Sequence, residues 1–214
     1  AAAPPPEPAL PAPLAPSRPE NAGLGAVPEA ASPLALAGDG GRRLRRGQLV
    51  HLMLQHLPDL APSAREAALR RFLARPGEAL APDEIATLSG EILAVLDHPD
   101  LAPLFGPAGR AEVPLTGLVG GNVVGGLVDR LAVLPDGAGS GRVLVADYKT
   151  NRAPPASAAA VPVLYLRQMA AYRAVLAAAF PGYAVECALV WTTGARVMTL
   201  PAALLDRNAP GVAA

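Results

Sequence analysis

The stretch VLVADYKTNR (residues 143–152) decides the fold, because a run of β-forming residues ends there in an acid, an aromatic and a lysine. Among the 18 lysines and arginines of this 214-residue chain, Lys149 is the only lysine. Alternate side chains of a strand share a face, so Asp147 and Lys149 point the same way. Taken alone, such a pair indicates a salt bridge at the rim of a core.

The four residues before Asp147 place this strand in the middle of a sheet. Val143 and Val145 would lie on one face, and Leu144 and Ala146 on the other. A strand that is apolar on both faces is typical of a central strand covered on both sides. The sequence therefore predicts that two charges stand at the end of a buried strand.

Composition limits the classes of protein that remain. The formal net charge is zero, so nucleic acid would have to bind through a local patch rather than a global field. The single cysteine, Cys187, excludes a disulfide framework and a cysteine-ligated zinc or iron–sulfur cluster within this chain. Neither a membrane span nor a signal peptide is predicted, which favours a soluble, intracellular protein. The start AAAPPP, without methionine, suggests a fragment of a longer protein.

The chain divides into three parts. Residues 1–40 are rich in proline and alanine and are predicted to be an extended linker. Residues 41–107 are predicted to hold three helices, over 46–57, 62–75 and 82–98, with Ser63 and Glu66 as a capping box of the second and Asp83 as the cap of the third. Residues 108–214 form the third part, in which a two-residue period takes over.

Strands are predicted in this third part over 110–120, 122–134, 141–150, 184–192 and 195–201, with a helix over 162–180. The turn PDGAGSG (135–141) joins the second and third strands as a hairpin. The predicted fold class is α/β, a mixed central sheet flanked by helices, with an N-terminal helical segment.

A second acid, Asp129, follows an apolar run on the preceding strand, three residues after Gly126. Pairing across the turn would bring Asp129 beside Asp147, and two adjacent carboxylates favour a shared proton or a divalent cation. Oxygen ligands suit Mg²⁺ or Mn²⁺. Lys149 beside such a site could orient or deprotonate a water molecule, which a permanently protonated arginine could not.

These residues resemble a known family. GLVDRL (126–131), VLVADYKT (143–150) and QMAAY (168–172) are similar to the PD-(D/E)XK nuclease superfamily, RecB-like branch. Together with RGQLVH (46–51) and AEVPLTG (111–117), they resemble the C-terminal nuclease domain of AddA-type helicase–nucleases of bacterial double-strand-break repair. The likeness covers roughly residues 40 to 206, and one departure is that the first acid follows a valine rather than a proline.

The resemblance implies a restriction-endonuclease-like core over 108–214 and a set of site residues. Asp129 and Asp147 would bind Mg²⁺, which Mn²⁺ may replace, and Lys149 would position the attacking water. Three further ligands are implied: His51, Glu112 and the backbone carbonyl of Tyr148. The partners implied are DNA, an upstream helicase and an AddB-type subunit, in a bacterial cytoplasm at the nucleoid.

Several residues have a second interpretation. A histidine among apolar neighbours, as His51 is, is often a core residue, and Glu112 could be a surface acid. Gln168 and Tyr172 lie on one helix face and either cap the sheet or, as in the family, contact DNA or brace the catalytic strand. Tyr165 is expected to pack. The cluster in GRRLRRG is either solvated or grips phosphates, and it contains Arg42, Arg43, Arg45 and Arg46.

Two functions therefore remain: a Mg²⁺-dependent, exonuclease-type DNA nuclease, and a catalytically inactive DNA-binding or scaffolding module of the same fold. Asp129, Asp147 and Lys149 are all present, which favours the nuclease. No G-x-x-x-x-G-K-[ST] motif occurs, so this chain is not expected to bind ATP through a P-loop.

Overall fold

The computed structural model describes residues 39–150 and 153–210. The predicted linker, residues 1–40, therefore lies almost wholly outside the described residues. Five strands are formed within them: β1 (Gly109–Val119), β2 (Asn122–Pro135), β3 (Gly141–Lys149), β4 (Tyr183–Trp191) and β5 (Arg196–Leu200). The helices are α1 (Asp39–His56), α2 (Pro62–Leu73), α3 (Pro82–Leu96), the short α4 (Ala102–Phe105), α5 (Val163–Ala179) and α6 (Ala202–Asp206).

The strands form one mixed sheet in the order β1-β2-β3-β4-β5. β3 and β4 are parallel and all other neighbours are antiparallel. Parallel neighbours need a crossover connection, and α5 supplies it between β3 and β4. The predicted fold class, a mixed sheet flanked by helices with an N-terminal helical segment, is confirmed.

Both faces of β3 are covered, as its apolar sequence predicts. Val143 and Val145 pack in a core that α5 shares with β4 and β5. Ala146 and Tyr148 pack on the opposite face, in a core built by α1, α2 and α3. We call these two faces the α5 side and the α1 side. The turn before β3 is closed by Asp136, whose side chain accepts hydrogen bonds from Ala138 N at 3.0 Å and Ser140 Oγ at 2.5 Å.

Two predicted helix caps are wrong. Ser63 does not cap α2, because the helix already begins at Pro62, and Glu66 pairs with Arg70 at 3.0 Å instead of reaching back. Asp83 does not cap α3, which begins at Pro82. Proline fits the first helical position, since its fixed φ is helical and it has no N–H to satisfy, so each helix starts before the polar residue.

Candidate metal centre

The candidate site lies where β1 and β2 lose their regular alternation. Val128 and Leu131 of β2 both pack on the α5 side, although strict alternation would put residues three apart on opposite faces. On β1, Glu112 has a φ of 51°, in the left-handed region. The pairs Ala111–Arg130 and Val113–Val128 flank this position, so Glu112 stands opposite Asp129. Both acids therefore occupy the irregular level of the hairpin.

Three potential ligands meet at this level. One ligand atom each from His51, Glu112 and Asp129 lies within 4.8 Å of the other two. His51 lies on helix α1, whereas the two acids lie on strands. Its Nδ1 is 3.3 Å from Asp129 Oδ1. The side chain of His51 is 32% exposed and that of Asp129 is 13% exposed, so the group is open to an ion.

The backbone fixes the orientation of Asp129. Its Oδ2 accepts a hydrogen bond from Tyr148 N at 2.6 Å, which leaves Oδ1 to face His51. The β2–β3 pairing ends at Arg130–Ala146, one position before Asp129 would meet Asp147. The Asp129 carboxylate thus accepts a hydrogen bond from the backbone of β3, where the regular β2–β3 pairing has ended. Tyr148 also meets His51 edge to face, with ring centroids 5.5 Å apart.

The charges in this group raise the pKa values of His51 and Glu112 and so favour the protonated forms of both side chains. Burial lowers the pKa of His51, but the hydrogen bond and charge of Asp129, with the charges of Asp147 and Glu112, outweigh it and raise that pKa above its ordinary value. Burial and the charge of Asp129 raise the pKa of Glu112. The group therefore carries more negative charge than its surroundings balance, which is the condition that a bound cation relieves.

Asp147 is not one of the three grouped ligands. Its carboxylate is almost fully buried on the α5 side, where Lys149 Nζ lies 2.5 Å from Oδ2. Burial raises the pKa of Asp147, Lys149 opposes this, and the charge of Asp129 adds to the rise. The Asp147 carboxylate therefore faces Lys149, although the negative charge of Asp129 also acts on it.

Lys149 is held by a directed chain of hydrogen bonds. Its Nζ donates to Gln168 Oε1 at 3.1 Å, and Gln168 Nε2 donates to Tyr172 Oη at 3.3 Å. Tyr172 in turn donates to the carbonyl of Leu127 at 2.9 Å. The chain connects the lysine to β2 two residues before Asp129. Gln168 and Tyr172 thus link Lys149 on β3 to β2 from α5.

Two features of the site have no clear signal in the sequence. The ring of Tyr165 lies 4.0 Å from Lys149 Nζ, so the residue expected to pack does so against the ammonium group. Arg130 is buried, its Nε donates to the carbonyl of Leu104 at 2.8 Å, and its guanidinium stacks over Phe105. Only the i, i+3 spacing from Tyr165 to Gln168 could have indicated the first contact.

The arginine cluster of α1 lies beside this region. Arg45 bonds to Glu78 at 2.9 Å, and Arg46 pairs with Glu91 and reaches the carbonyl of Thr150 at 3.5 Å. Arg45 and Arg46 are thus each paired with an acid. No helix within the described residues has the length and apolarity needed to cross a membrane.

Comparison with known proteins identifies a family for this chain. No curated protein sequence matches the chain. The structure of a "Putative exonuclease" from Eubacterium rectale is 14% identical, with a TM-score of 0.46 over 78% of this chain and 62% of that one, so this chain spans less than two thirds of its length. The structure of SSO0001 is 18% identical, with a TM-score of 0.32 over 76% of this chain and 81% of that one. The family model of the PD-(D/E)XK nuclease superfamily matches residues 23–200. The chain therefore belongs to the PD-(D/E)XK nuclease superfamily.

Proposed function

We propose that this domain is a divalent-metal-dependent DNA nuclease in which Asp129, Glu112 and His51 hold the metal and Lys149 assists the attack on the phosphodiester. The observation that carries the proposal is the meeting of three ligand atoms within 4.8 Å, one of them on Asp129, whose carboxylate accepts a hydrogen bond from Tyr148 N, next to Lys149 in the chain. Membership of the superfamily makes DNA the substrate class.

The donor set fits a small divalent cation. Two carboxylates and an imidazole suit Mn²⁺, and Mg²⁺ is also held by one or two carboxylates with several waters. Glu112 sits in the left-handed region, a conformation that costs a non-glycine residue about 1–3 kcal/mol and that tends to persist at functional sites. Asp147 and the carbonyl of Tyr148 are proposed as the remaining ligands, because the position after the last β2–β3 pair, Arg130–Ala146, would set Asp147 opposite Asp129.

Asp129 and Lys149 have separate roles in the proposed reaction. A bound cation would polarise the phosphate and lower the pKa of a coordinated water. Asp129 is held for this by Tyr148 N, so its free oxygen is already oriented. Lys149 is held by Asp147 and Gln168, and its ammonium group would orient the water and stabilise negative charge on the phosphate.

The wider role rests on the resemblance of the sequence to AddA-type proteins. We infer an exonuclease-type activity in double-strand-break repair by recombination, coupled to an upstream helicase and an AddB-type subunit in the bacterial cytoplasm. The division into a linker, a helical segment that carries His51 and a nuclease core from residue 108 belongs to the same proposal.

The test is cleavage of linear DNA with and without Mg²⁺ or Mn²⁺. Asp129→Ala and Asp147→Ala should each abolish cleavage and weaken Mn²⁺ binding in a calorimetric titration, because a hard cation loses one of few oxygen ligands. Glu186→Gln is the matched control, since Glu186 is an acid on the same sheet that pairs with Arg142 at the surface. Metal and DNA binding without cleavage by the wild type would favour the inactive module instead.

A further inference from the structure

Beyond the candidate metal centre, β1 and β2 continue as a two-stranded ribbon that β3 does not join. β2 pairs with β3 only over residues 130–135, whereas residues 122–128 pair with β1 alone. One face of the ribbon is covered by α5: Val124 packs in a small core with Val175, and a Cβ at Gly117 would lie 2.9 Å from Val175 Cγ1. The opposite face points to the α1 side.

We call this opposite face the ribbon face, and it consists of the cross-strand pairs Pro114–Leu127, Thr116–Gly125 and Leu118–Val123. Leu118 is 69% exposed and Leu127 is 47% exposed. Within the part of the chain that the structure describes, no apolar core includes a residue of the ribbon face. Residues 113–128 contain no acidic or basic side chain. The ribbon face is therefore apolar, uncharged and open to solvent.

The ribbon face begins next to the candidate metal centre. The pair Pro114–Leu127 stands two residues along each strand from the two acids of the centre, which is about 7 Å at the usual rise of a strand. The third member of the centre, His51, comes from α1 and thus from the side that the ribbon face shares. A DNA strand that follows the hairpin past the centre would rest the nucleotides beside its cut phosphate on this face.

The size and the charge of the ribbon face limit what can cover it. Its three pairs span about 13 Å along the strands and about 10 Å across them, or roughly 130 Å². A stable protein interface buries about 800 Å² on each partner, so this face alone is too small for one. The outside of a duplex presents phosphates, which an uncharged face cannot neutralise. Unpaired nucleotides offer their bases instead, and leucine and proline side chains pack against or between bases.

We propose that the ribbon face binds one or two unpaired nucleotides of the DNA strand, beside the phosphate that is cut. This rests on the proposed nuclease function for the place of that phosphate, and it adds a preference for an unpaired strand. Because the contacts are apolar, they release no counterions and read no sequence. The domain should therefore prefer single strands and frayed ends to a closed duplex.

Replacing the exposed leucines tests the ribbon face. Leu118→Ser and Leu127→Ser are made in the Lys149→Ala background, which should bind DNA without cutting it, and are titrated with a labelled single strand and a blunt, GC-rich duplex. Each should raise the single-strand Kd about tenfold, the effect of losing one apolar side chain from a contact. The duplex Kd and the slope of log Kd against log salt should not change, because no charge is removed. Anisotropy measures both constants.

Leu60→Ser is the matched control, because Leu60 is 40% exposed and lies between α1 and α2, outside both strands. It should change neither constant. A single-strand Kd that stays at the parent value in both ribbon variants would overturn the proposal. A lower Tm or an altered sedimentation coefficient with that same unchanged Kd would show that the chain itself or a second copy covers the face.

Adding a charge to the ribbon face provides an independent test. Thr116 is exposed in the middle of the face, and Thr116→Lys should strengthen duplex binding and steepen its salt dependence, because the lysine would contact a phosphate. The preference for single strands should then fall. Ala67→Lys, on the exposed face of α2, adds the same charge elsewhere and should leave that preference unchanged. An equal preference in both variants would also overturn the proposal.

The outcomes separate the ribbon face from the nuclease function. If the wild type and the leucine variants cleave single strands and duplexes at equal kcat/KM, the nuclease stands and the ribbon face fails. If nothing is cleaved but the leucine variants lose single-strand affinity, the ribbon face stands and the proposed reaction fails.

Discussion

Lys149 and Asp147 form a nearly buried ion pair, in which Nζ lies 2.5 Å from Oδ2 and the side chains are 11% and 6% exposed. Two neighbours of the pair bind the same ammonium group: Gln168 accepts from it and the Tyr165 ring lies against it. A salt bridge alone needs neither of them. The lysine is therefore held in one orientation, as expected of a group that acts on substrate.

Replacing Lys149 tests that role. Lys149→Ala should lower the cleavage rate about a hundredfold or more, the usual effect of removing a general base or electrostatic stabiliser. Lys149→Arg should fold, bind DNA and be nearly inactive, because the planar guanidinium stays protonated and cannot occupy the place of an ammonium group. Single-turnover cleavage and DNA anisotropy measure both effects. Wild-type cleavage by the arginine variant would exclude the catalytic role.

His51 can be tested as a ligand against its role as a core residue. If it binds metal, His51→Ala should lower activity in a way that raised Mn²⁺ partly restores. If it only packs against Tyr148, activity per folded molecule should stay near the wild-type value while Tm falls. Both quantities are to be measured on one preparation, and the geometry with Asp129 leads us to expect the first result.

Glu112 is expected to lower the stability of the metal-free protein while it contributes to metal binding. Glu112→Gly should stabilise the metal-free protein by about 1 kcal/mol, because glycine adopts a φ of 51° without steric cost and the repulsion by Asp129 is lost. Mn²⁺ affinity should fall at the same time. Urea unfolding and calorimetry are the measurements.

Two control variants separate the effect of the Glu112 charge from the effect of its backbone strain. Glu112→Gln removes the charge and keeps the strained backbone. Ala79→Gly measures the benefit of glycine at an exposed residue whose φ is also 51°. A Glu112→Gly variant less stable than the wild type would show that this conformation carries no strain.

Gly126 makes room for the chain of hydrogen bonds that holds Lys149. A Cβ at Gly126 would lie 2.6 Å from a ring carbon of Tyr172, whereas a Cβ at Gly125 would meet nothing within 4 Å. Gly126→Ala should cost about 1–3 kcal/mol, the usual effect of overpacking, and should lower kcat by moving Tyr172 and Gln168. Gly125→Ala is the matched control. Equal Tm and kcat for the two variants would contradict this assignment.

Cys187 provides a probe of unfolding. It is 1% exposed, and burial raises the pKa of its thiol to about 12. The thiolate is the reactive form, so a thiol reagent at pH 8 should label the native protein only when the structure opens. Labelling rates should rise with urea in parallel with the loss of circular dichroism. Rapid labelling in native buffer would show that β4 opens locally.

The sequence predicts the elements well, because apolar periodicity is a local property that the core preserves. All five strands and α5 lie within a few residues of their predicted bounds, since Val143 to Ala146 and their counterparts pack as their pattern requires. The predicted helix caps are less accurate, because a proline at position 62 or 82 takes the first helical position and replaces the polar cap that the pattern favours.

Side-chain directions at the site are harder to predict. Strict alternation cannot represent the level of Glu112 and Asp129, where Val128 and Leu131 share a face. The sequence predicts Asp147 beside Asp129, but the β2–β3 pairing ends one position before the two would meet, and the Asp147 carboxylate faces Lys149. The contact of Tyr165 with Lys149 likewise joins residues that only the folded chain brings together.

The irregular level of the β1–β2 hairpin also constrains how the gene can change. Both strands change phase at the same level while their pairing keeps one register, as if one residue had been inserted in each strand, Glu112 in one and Asp129 in the other. Deleting one codon alone would shift every cross-strand pair on one side of the deletion. A regular hairpin could be reached only by losing both residues together, so descendants of this domain can replace either side chain far more easily than they can lose the irregular level.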